Sequence, residues 1–442
     1  MSRVRVAIRG AVVFAKLLPL LLVLARDRQR YLLFGSGRTL TDEDHERRAE
    51  LLVNTLLDLG PGFIKLGQTL STRPDLLPSP YIRTLEQLQD EVPPAPWPQA
   101  KEIIEAELGP IEEVFDEFDT ESISGASLGQ VYRATADGTD VAVKVRRPGV
   151  ESQVNRDIEL IETVLPLLLR RVSGNRAFSL ENLVDQLTDT IREEMDYERE
   201  ARMLTEIRAN FEDDDRVVIP SVVESHSTGR VLTMTYVGGT KLSDLDELDD
   251  LGHDRVELST NARQIYLQMI LIDGVFHADP HPGNIAVNDE GQLVLYDFGM
   301  STWIDEELRN TIIDFYLGLA TDDIGGVIDA MVEMGTLSPE AAENAREDME
   351  DLIELHIQDI RGEDVDYYRV GRMMEQVEDT IYMAPFRITK DMALVIRVAM
   401  IGEGVCVMLD PEHDIVEVTA DFMTNHGYLA ESVMERFAST AE

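Results

Sequence analysis

The period at which apolar residues recur changes along this chain, and each period predicts a different element. Apolar residues alternate over 141–145 and form an almost unbroken run over 293–296, and both patterns are typical of strands. Over 179–211 they recur every three or four positions, which predicts one long amphipathic helix. The pair Asp137-Gly138, ahead of the first strand, predicts a hairpin turn. We therefore expect an α+β protein.

A tight polar loop precedes the second of these strands, and the tripeptide Asp-Phe-Gly follows that strand. The loop 277–284 has the sequence HADPHPGN, and the strand leads into Asp-Phe-Gly. A kinase-like site needs one carboxylate near the group that attacks the γ-phosphate, and an Asn and a second Asp to hold divalent ions. Asp279, Asn284 and Asp297 have the residue types and spacing for these roles. A proline-rich turn before an acidic hairpin is the alternative, but both halves together favour a kinase-like site.

A lysine on the first strand adds the expected phosphate-binding cation. Lys144 lies in the alternating segment 141–145, from which its ammonium would reach the α- and β-phosphates of a nucleotide. Lysine is scarce, with six in 442 residues, so its presence here favours a need for an ammonium over a guanidinium fork. A surface lysine at the end of a strand is the alternative.

Further motifs complete a set that resembles one family. They are Lys-Leu-Gly-Gln at 65–68, Glu-Met-Asp at 194–196 and the small-residue loop SGASLGQVYRA at 124–134. With these segments the chain closely resembles the UbiB/AarF family of atypical kinases, from about residue 45 to about residue 410. Members of that family support quinone and isoprenoid-lipid pathways. The combination of motifs is specific, although no single motif would be.

The resemblance implies a role for each matching residue. Asp279 resembles the catalytic aspartate, and Asn284 and Asp297 resemble the metal ligands. Lys144 resembles the nucleotide-binding lysine, with Glu200 as its helix-borne carboxylate partner.

The resemblance also gives a catalytic role to the two motifs that ordinary kinases lack. Lys65 and Gln68 resemble insert residues that lie over the active site, where they face Glu194 and Asp196. Such an insert would occlude the usual peptide groove, so a protein substrate is not expected.

The phosphate loop departs from the Gly-x-Gly-x-x-Gly sequence of an ordinary protein kinase. Small residues still let the backbone approach a phosphate, but a loop with fewer glycines is stiffer. We expect Ala126 and Ser127 to contact the nucleotide. The family's loop is usually Ala-rich, and two of those positions here are Ser124 and Gly125. A nucleotide preference therefore cannot be inferred from the alanines.

Helical geometry separates two of the acidic residues. On one continuous helix Glu194 and Glu200 would lie about 240° apart around the axis, at about 100° per residue. They could not readily serve one partner, which fits separate contacts with Lys65 and Lys144. Lys65 and Gln68 would share a face if their own segment is helical. A solvated acidic face is the alternative for the acids of this segment.

Composition indicates the environment of the protein. The net charge is −44, from 84 acidic and 40 basic residues. Such an excess is self-repulsive in dilute buffer, but in molar salt the Debye length is only about 3 Å. We therefore predict a halophile's protein, of haloarchaeal origin, that is loosened or inactive at low salt. The same charge argues against a nucleic-acid partner. The lone Cys406 excludes an intrachain disulfide and indicates a reducing cytoplasm.

The charge is reversed at the start of the chain. Residues 1–40 carry eight basic groups and one acidic group, a net charge of +7, which leaves −51 for the rest. The apolar run 10–25 is interrupted by Lys16 and Pro19 and is short for a transmembrane helix, which needs about 20 apolar residues. An apolar helix with basic flanks fits a position in or on the lipid interface, so we expect peripheral membrane association. A helix packed on the protein's own surface is the alternative.

Four segments follow from composition and motifs. They are a basic-apolar membrane-associating leader (1–40), a helical extension with the K-x-G-Q motif (41–120), a kinase-like N-lobe (121–239) and a kinase-like C-lobe (240–442). The resemblance thus implies a protein-kinase-like two-lobe fold with a mostly helical N-terminal extension.

The function implied by the resemblance is that of an enzyme using ATP (or ADP) and Mg²⁺. We expect an ATPase or small-molecule phosphotransferase at the membrane surface, in quinone or isoprenoid-lipid metabolism. Its expected partners are the nucleotide, a membrane lipid or quinone precursor, and lipid-biosynthesis proteins. An ordinary Ser/Thr protein kinase and a non-catalytic, nucleotide-gated lipid-binding module are the alternatives.

Overall fold

The computed structural model describes residues 8–19, 42–71, 73, 76–77, 79–89, 95–125, 128–169, 175–321, 323–337, 339, 342–343, 390–411 and 415–428. Helices predominate in this part of the chain, and short sheets accompany them, which confirms the α+β class. The chain divides into two compact units. The first is Met1–Glu198 with Val223–Met234, and the second is Arg199–Val222 with Thr235–Glu442.

Helices make up most of the first unit. The first four of them share an apolar cluster that contains Val13, Leu56, Phe63 and Leu85. Their bounds, with those that follow, are α1 (8–19), α2 (Asp42–Leu59), α3 (Pro61–Leu70), α4 (Ser79–Glu86), α5 (Trp97–Leu108), α6 (Ile111–Val114), α7 (Val150–Leu169) and α8 (Asn175–Glu194).

The K-x-G-Q segment lies on α3, so the expectation that its segment is helical is confirmed. Helix α3 begins at Pro61, a residue favoured at the first helical position because it has no N–H to leave unpaired. Gly67 lies at the closest approach to neighbouring helices, since a Cβ there would come within 2.8 Å of the Leu56 side chain. A glycine at this position therefore lets α3 pack deeply into the cluster.

The sheet of the first unit carries the predicted lysine strand. Its strands are β1 (Glu117–Gly125), β2 (Gly129–Ala136), β3 (Thr139–Arg146) and β5 (Val231–Thr235), in the order β1-β2-β3-β5. Asp137 and Gly138 both have positive φ, 51° and 72°, as a two-residue type I′ turn requires. The predicted hairpin is therefore confirmed, and Lys144 on β3 lies opposite Val131 on β2.

The segment 179–211 forms two helices, so the prediction of one continuous helix is wrong. Helix α8 ends at Glu194, and the next helix begins at Tyr197. The Arg146 guanidinium binds the carbonyl of Met195, an acceptor that the following turn of a helix would otherwise use. The angle derived for two glutamates on one helical axis therefore does not apply.

The second unit combines helices with two small sheets. The elements are α9 (Tyr197–Asn210, which starts within the first unit), β4 (Val217–Val218), β6 (Thr240–Lys241), α10 (Leu245–Leu251), α11 (Arg255–Leu267), β7 (Val275–Phe276), β8 (Ile285–Val287), β9 (Leu293–Leu295), β10 (Thr302–Trp303), α12 (Glu306–Ala320), α13 (Ile324–Glu333), α14 (Lys390–Leu409) and α15 (Ile415–Asn425). The sheets have the orders β4-β9-β8-β6 and β10-β7. Strand β4 pairs in parallel with β9, and β9 and β8 form an antiparallel pair.

Helix α14 packs against α11 through polar as well as apolar contacts. Arg263 and Glu403 form an ion pair at 3.7 Å, with 6% and 7% of their side chains exposed. The Ser259 hydroxyl donates to the Cys406 carbonyl at 3.0 Å. Burial raises the pKa of the Cys406 thiol to about 12, so this cysteine stays protonated and unreactive.

Helix α1 packs on the first unit along one side only. Arg9 forms an ion pair with the buried Asp157 at 2.6 Å, Lys16 binds Asp58 at 2.8 Å, and Val13 is buried between them. The packing expected under the alternative interpretation of this segment thus holds for that side. The opposite side is exposed and consists entirely of apolar residues, namely Ile8, Ala11, Val12, Phe14, Ala15, Leu18 and Pro19.

None of the helices in the described part of the chain has the length and hydrophobicity that crossing a membrane requires. The described part of the apolar run 10–25 ends at residue 19.

Candidate active site

The polar loop 277–284 follows an irregular stretch of helix. Helix α11 continues into a π-helix over Gln268–Asp273, an arrangement that is common near functional sites. Gly274, with φ of 67°, ends it, and the short strand β7 leads into the loop.

His277 connects the loop to the Asp-Phe-Gly segment through contacts with its neighbours Tyr296 and Phe298. Its ring is fully buried, its Nε2 lies 2.8 Å from the Tyr296 carbonyl, and its Nδ1 lies 3.5 Å from the Tyr266 hydroxyl. Since a carbonyl only accepts, Nε2 carries the proton in this contact. Burial, with the charge of Asp279 nearby, raises the pKa of the Tyr266 phenol well above its ordinary value, so the phenol remains a donor to Nδ1. His277 also packs edge to face on Phe298, with 5.2 Å between ring centroids.

Asp279 has a partner at each carboxylate oxygen. Asn284 Nδ2 donates to Oδ2 at 2.9 Å, and Arg397 on α14 donates to Oδ1 at 2.5 Å. The Asp279 side chain is 20% exposed, so it still reaches solvent or a substrate. The structure therefore brings together two residues predicted for catalysis and metal binding, and adds an arginine that was not predicted.

Asn284 and Asp297 lie at the adjoining ends of paired strands. Strands β8 and β9 pair antiparallel, and the Tyr296 N–H donates to the Asn284 carbonyl at 2.8 Å. Asp297 has φ of 56°, a left-handed conformation that a non-glycine residue rarely adopts, and its side chain accepts from the Gly299 N–H at 3.2 Å. Such conformations are common where a side chain must be aimed at a ligand.

The donor atoms at these strand ends suit magnesium. Asn284 uses its amide nitrogen on Asp279, so its Oδ1 is the atom left to face a cation, and Asp297 offers a carboxylate. Mg²⁺ prefers oxygen ligands and usually takes only one or two from protein, with substrate phosphates and water supplying the rest. Among the described residues no group of three or more His, Cys, Asp or Glu is placed to hold a metal. A site completed by phosphate oxygens does not need one.

Arg199 supports the turn that follows Asp297. Its guanidinium donates to the Ser301 carbonyl at 2.7 Å and to the Gly299 carbonyl at 3.5 Å. Sequence reasoning missed this role, although Arg199 adjoins the predicted Glu200.

Lys144 is a buried lysine in the first unit, so the alternative of a surface lysine is wrong. Its side chain is only 7% exposed, and its ammonium lies 5.5 Å from the centre of the Tyr197 ring. A Cβ at Gly129, the first residue of β2, would collide with the Tyr197 hydroxyl. The glycine at the end of the phosphate loop therefore makes room for the tyrosine that lies beside the lysine.

The K-x-G-Q segment contacts the Glu-Met-Asp segment through Lys65 and Glu194, one of the predicted contacts between the two motifs. Lys65 forms an ion pair with Glu194, and both side chains are largely buried. Gln68, on the same buried face of α3, donates to the Leu88 carbonyl at 2.7 Å. Asp196 is exposed and lies between α8 and α9.

The remaining predicted residues have less structural support. Glu200 is buried in the second unit, and its pairing with Lys144 stays a prediction. Ala126 and Ser127 lie outside the described residues, so their contact with a nucleotide also stays a prediction.

A match to a known domain accounts for this combination of motifs. The ABC1 atypical kinase-like domain matches residues 87–331, more than half of the 442-residue chain. The chain belongs to the ABC1 atypical kinase-like family. The predicted resemblance to UbiB/AarF kinases is thereby confirmed at the level of the family, and the haloarchaeal origin stays a prediction.

The similarity of this chain to known proteins extends well beyond the matched ABC1 domain. The chloroplast protein ACTIVITY OF BC1 COMPLEX KINASE 8 of Arabidopsis thaliana is 36% identical over 406 residues, which cover 85% of this chain and 53% of that protein. This chain thus spans about half the length of that relative. The Synechocystis protein slr1919 is 32% identical over 391 residues, covering 87% of this chain and 68% of its own length.

A solved structure shares the fold. The complex of Rv3197 with erythromycin, from Mycobacterium tuberculosis, aligns with a TM-score of 0.56 and 22% identity, covering 86% of this chain and 97% of that one. The predicted kinase-like fold of this ABC1 protein is confirmed.

The arginine that binds Asp279 at the ABC1 site has a signal in the sequence. Arg397 and Glu403 are the charged residues of α14 beyond Lys390 and Asp391, which begin the helix. Because burying an isolated charge is costly, each such residue predicts a specific buried partner.

Proposed function

We propose that this protein is an ATP-dependent atypical kinase or ATPase that uses Mg²⁺. The observation that carries the proposal is the arrangement around Asp279, where Asn284 donates to the carboxylate. Asp297 comes after β9, which pairs with β8, the strand that begins directly after Asn284. One carboxylate for the nucleophile and two oxygen donors for metal are the parts that phosphoryl transfer requires. Membership of the ABC1 family supports the same chemistry.

In this proposal each residue has one task. Asp279 orients the attacking hydroxyl or water and accepts its proton. Asn284 and Asp297 would hold magnesium, which neutralises charge on the phosphates when it is bound. Lys144 binds the α- and β-phosphates, with Glu200 as its proposed partner.

We further propose that the protein acts at a membrane surface, in quinone or isoprenoid-lipid metabolism. The exposed apolar side of α1 supports the membrane location, because Ile8 and Phe14 leave 61% and 59% of their surface in water. The resemblance to UbiB/AarF kinases supports the lipid pathway, and several Arabidopsis relatives carry names that refer to the activity of a bc1 complex.

Steady-state ATP hydrolysis in molar KCl tests the catalytic proposal. We expect Asp279→Asn and Asp297→Asn each to lower kcat by at least about 100-fold, since each removes a group that acts on the transferring phosphate. Asp246→Asn is the matched control, because Asp246 is an exposed acid on α10, and its rate should equal that of the wild type. Nucleotide binding with equal, background rates in all four proteins would favour the non-catalytic lipid-binding module instead.

A further inference from the structure

Arg397 is a deeply buried partner of Asp279. Only 4% of its side chain is exposed, and its Nη2 lies 2.5 Å from Asp279 Oδ1. Its Nε is buried and has no hydrogen-bond partner among the described residues. Among the described residues the guanidinium is thus taken out of water for one polar contact, the Asp279 carboxylate.

Such a contact is poorly explained by stability. Removing a guanidinium from water carries a large desolvation cost, and one carboxylate with an unsatisfied N–H does not offset it well. Apolar neighbours on α14, such as Leu394 and Val398, are buried in the same stretch, so an apolar side chain would suit the packing. The presence of an arginine therefore points to its effect on Asp279.

The two partners of Asp279 together fix its orientation. Arg397 holds Oδ1 and Asn284 holds Oδ2, so the carboxylate cannot rotate without breaking one of the bonds. The loop 277–284 contains no Lys or Arg, and the guanidinium that binds this carboxylate comes from α14. Helix α14 is itself held against α11 by the buried Arg263–Glu403 pair.

We propose that Arg397 is a positioning residue for phosphoryl transfer. It holds the Asp279 carboxylate in the orientation that meets the attacking hydroxyl or water, and it acts through Asp279 rather than on the nucleotide. This inference rests on the proposed ATP turnover.

The test compares kcat and KM for ATP in four variants: Arg397→Gln, Arg397→Lys, Asp279→Asn and the double variant Arg397→Gln with Asp279→Asn. Arg397→Gln should lower kcat about 100-fold, because small misplacements of a reacting group have effects of that size, while KM changes by less than about threefold. Arg397→Lys should recover about tenfold of this loss, since an ammonium still binds one oxygen. The double variant should be no slower than Asp279→Asn alone, because Arg397 has no effect once its target is gone.

Arg216→Gln is the matched control for the loss of an Arg–Asp pair. Arg216 binds Asp214 at 2.6 Å in the same unit. Arg216→Gln should leave kcat per folded molecule unchanged. Combined with Asp279→Asn, it should give the same kcat as Asp279→Asn alone. Circular dichroism checks that each variant is folded, and if Arg397→Gln is not, Arg397→Lys alone and with Asp279→Asn gives the same comparison.

Three results would overturn the inference. A wild-type kcat in Arg397→Gln, with Asp279→Asn inactive, would reject a positioning role and leave the proposed function intact. Losses that multiply in the double variant would show that Arg397 acts independently of Asp279. A wild-type rate equal to that of Asp297→Asn would reject the proposed function and this inference together.

Discussion

Lys65 and Glu194 form an ion pair that is largely shielded from water, with 7% and 13% of the side chains exposed. Two charges so buried attract each other strongly, but each also loses its hydration. The pair joins α3 to the end of α8, so it fixes the K-x-G-Q segment on the first unit. Removing one member takes away the other's ion-pair partner while its burial remains.

We predict that Lys65→Met lowers the free energy of unfolding by about 3 kcal/mol, because the largely buried Glu194 keeps its desolvation cost and loses this ion pair. The double variant Lys65→Met with Glu194→Gln should regain most of this loss. Urea denaturation at constant high salt measures both.

Lys101→Met is the matched control, because its ion pairs with Glu105 and Glu112 lie at the surface. We expect no resolvable change for it. If Lys65→Met behaves like Lys101→Met, the buried pair does not stabilise the first unit.

Short motifs revealed most of the residues at the site, but not those that support them. The spacing within 277–284 and the following triplet was enough to predict Asp279, Asn284 and Asp297, because each role has its own position in the loop. Arg397 binds Asp279 from 118 positions away along the chain. No local pattern states which loop a distant arginine will reach.

At the scale of elements, hydrophobic periodicity predicted the strands over 141–145 and 293–296 and the helical character of 179–211, but not the break between α8 and α9. Apolar residues such as Ile191 and Ile207 are buried on both sides of the break, so the pattern continues through it. The break involves Arg146, which lies on strand β3 and binds the Met195 carbonyl. A tertiary contact of this kind has no signature in the local pattern.

At the scale of elements, we predict that the exposed apolar side of α1 binds membranes. Phe14→Ser should reduce the fraction of protein that floats with anionic liposomes about tenfold, since burying a phenylalanine side chain contributes about 1.5–3 kcal/mol. Phe14 is 59% exposed and Arg9 and Lys16 already bind acidic partners, so the substitution should leave the fold unchanged.

Leu251→Ser is the matched control, since Leu251 is 54% exposed on α10. Its flotation should equal that of the wild type. An equal loss in both variants, or in neither, would mean that α1 is not the membrane-binding surface.

At the scale of the whole molecule, we expect net charge to determine how stability depends on salt. A charge of −44 on 442 residues favours expansion wherever it is not screened. We predict that the urea midpoint rises steadily as KCl is raised from about 0.1 M to about 3 M, because the Debye length falls from about 10 Å to below about 3 Å. Asp246→Asn combined with Asp250→Asn, two exposed acids on α10, should weaken this dependence. A midpoint that is the same at both salt concentrations would contradict the halophilic interpretation.

The central claim, ATP turnover at a membrane surface, is tested most directly by one measurement: Mg-ATP hydrolysis in molar KCl, with and without anionic liposomes. The proteins compared are the wild type, Phe14→Ser and Asp297→Asn. We expect liposomes to raise the wild-type rate, to have little effect on Phe14→Ser, and to leave Asp297→Asn at background. A wild-type rate at the Asp297→Asn background under both conditions would contradict the claim.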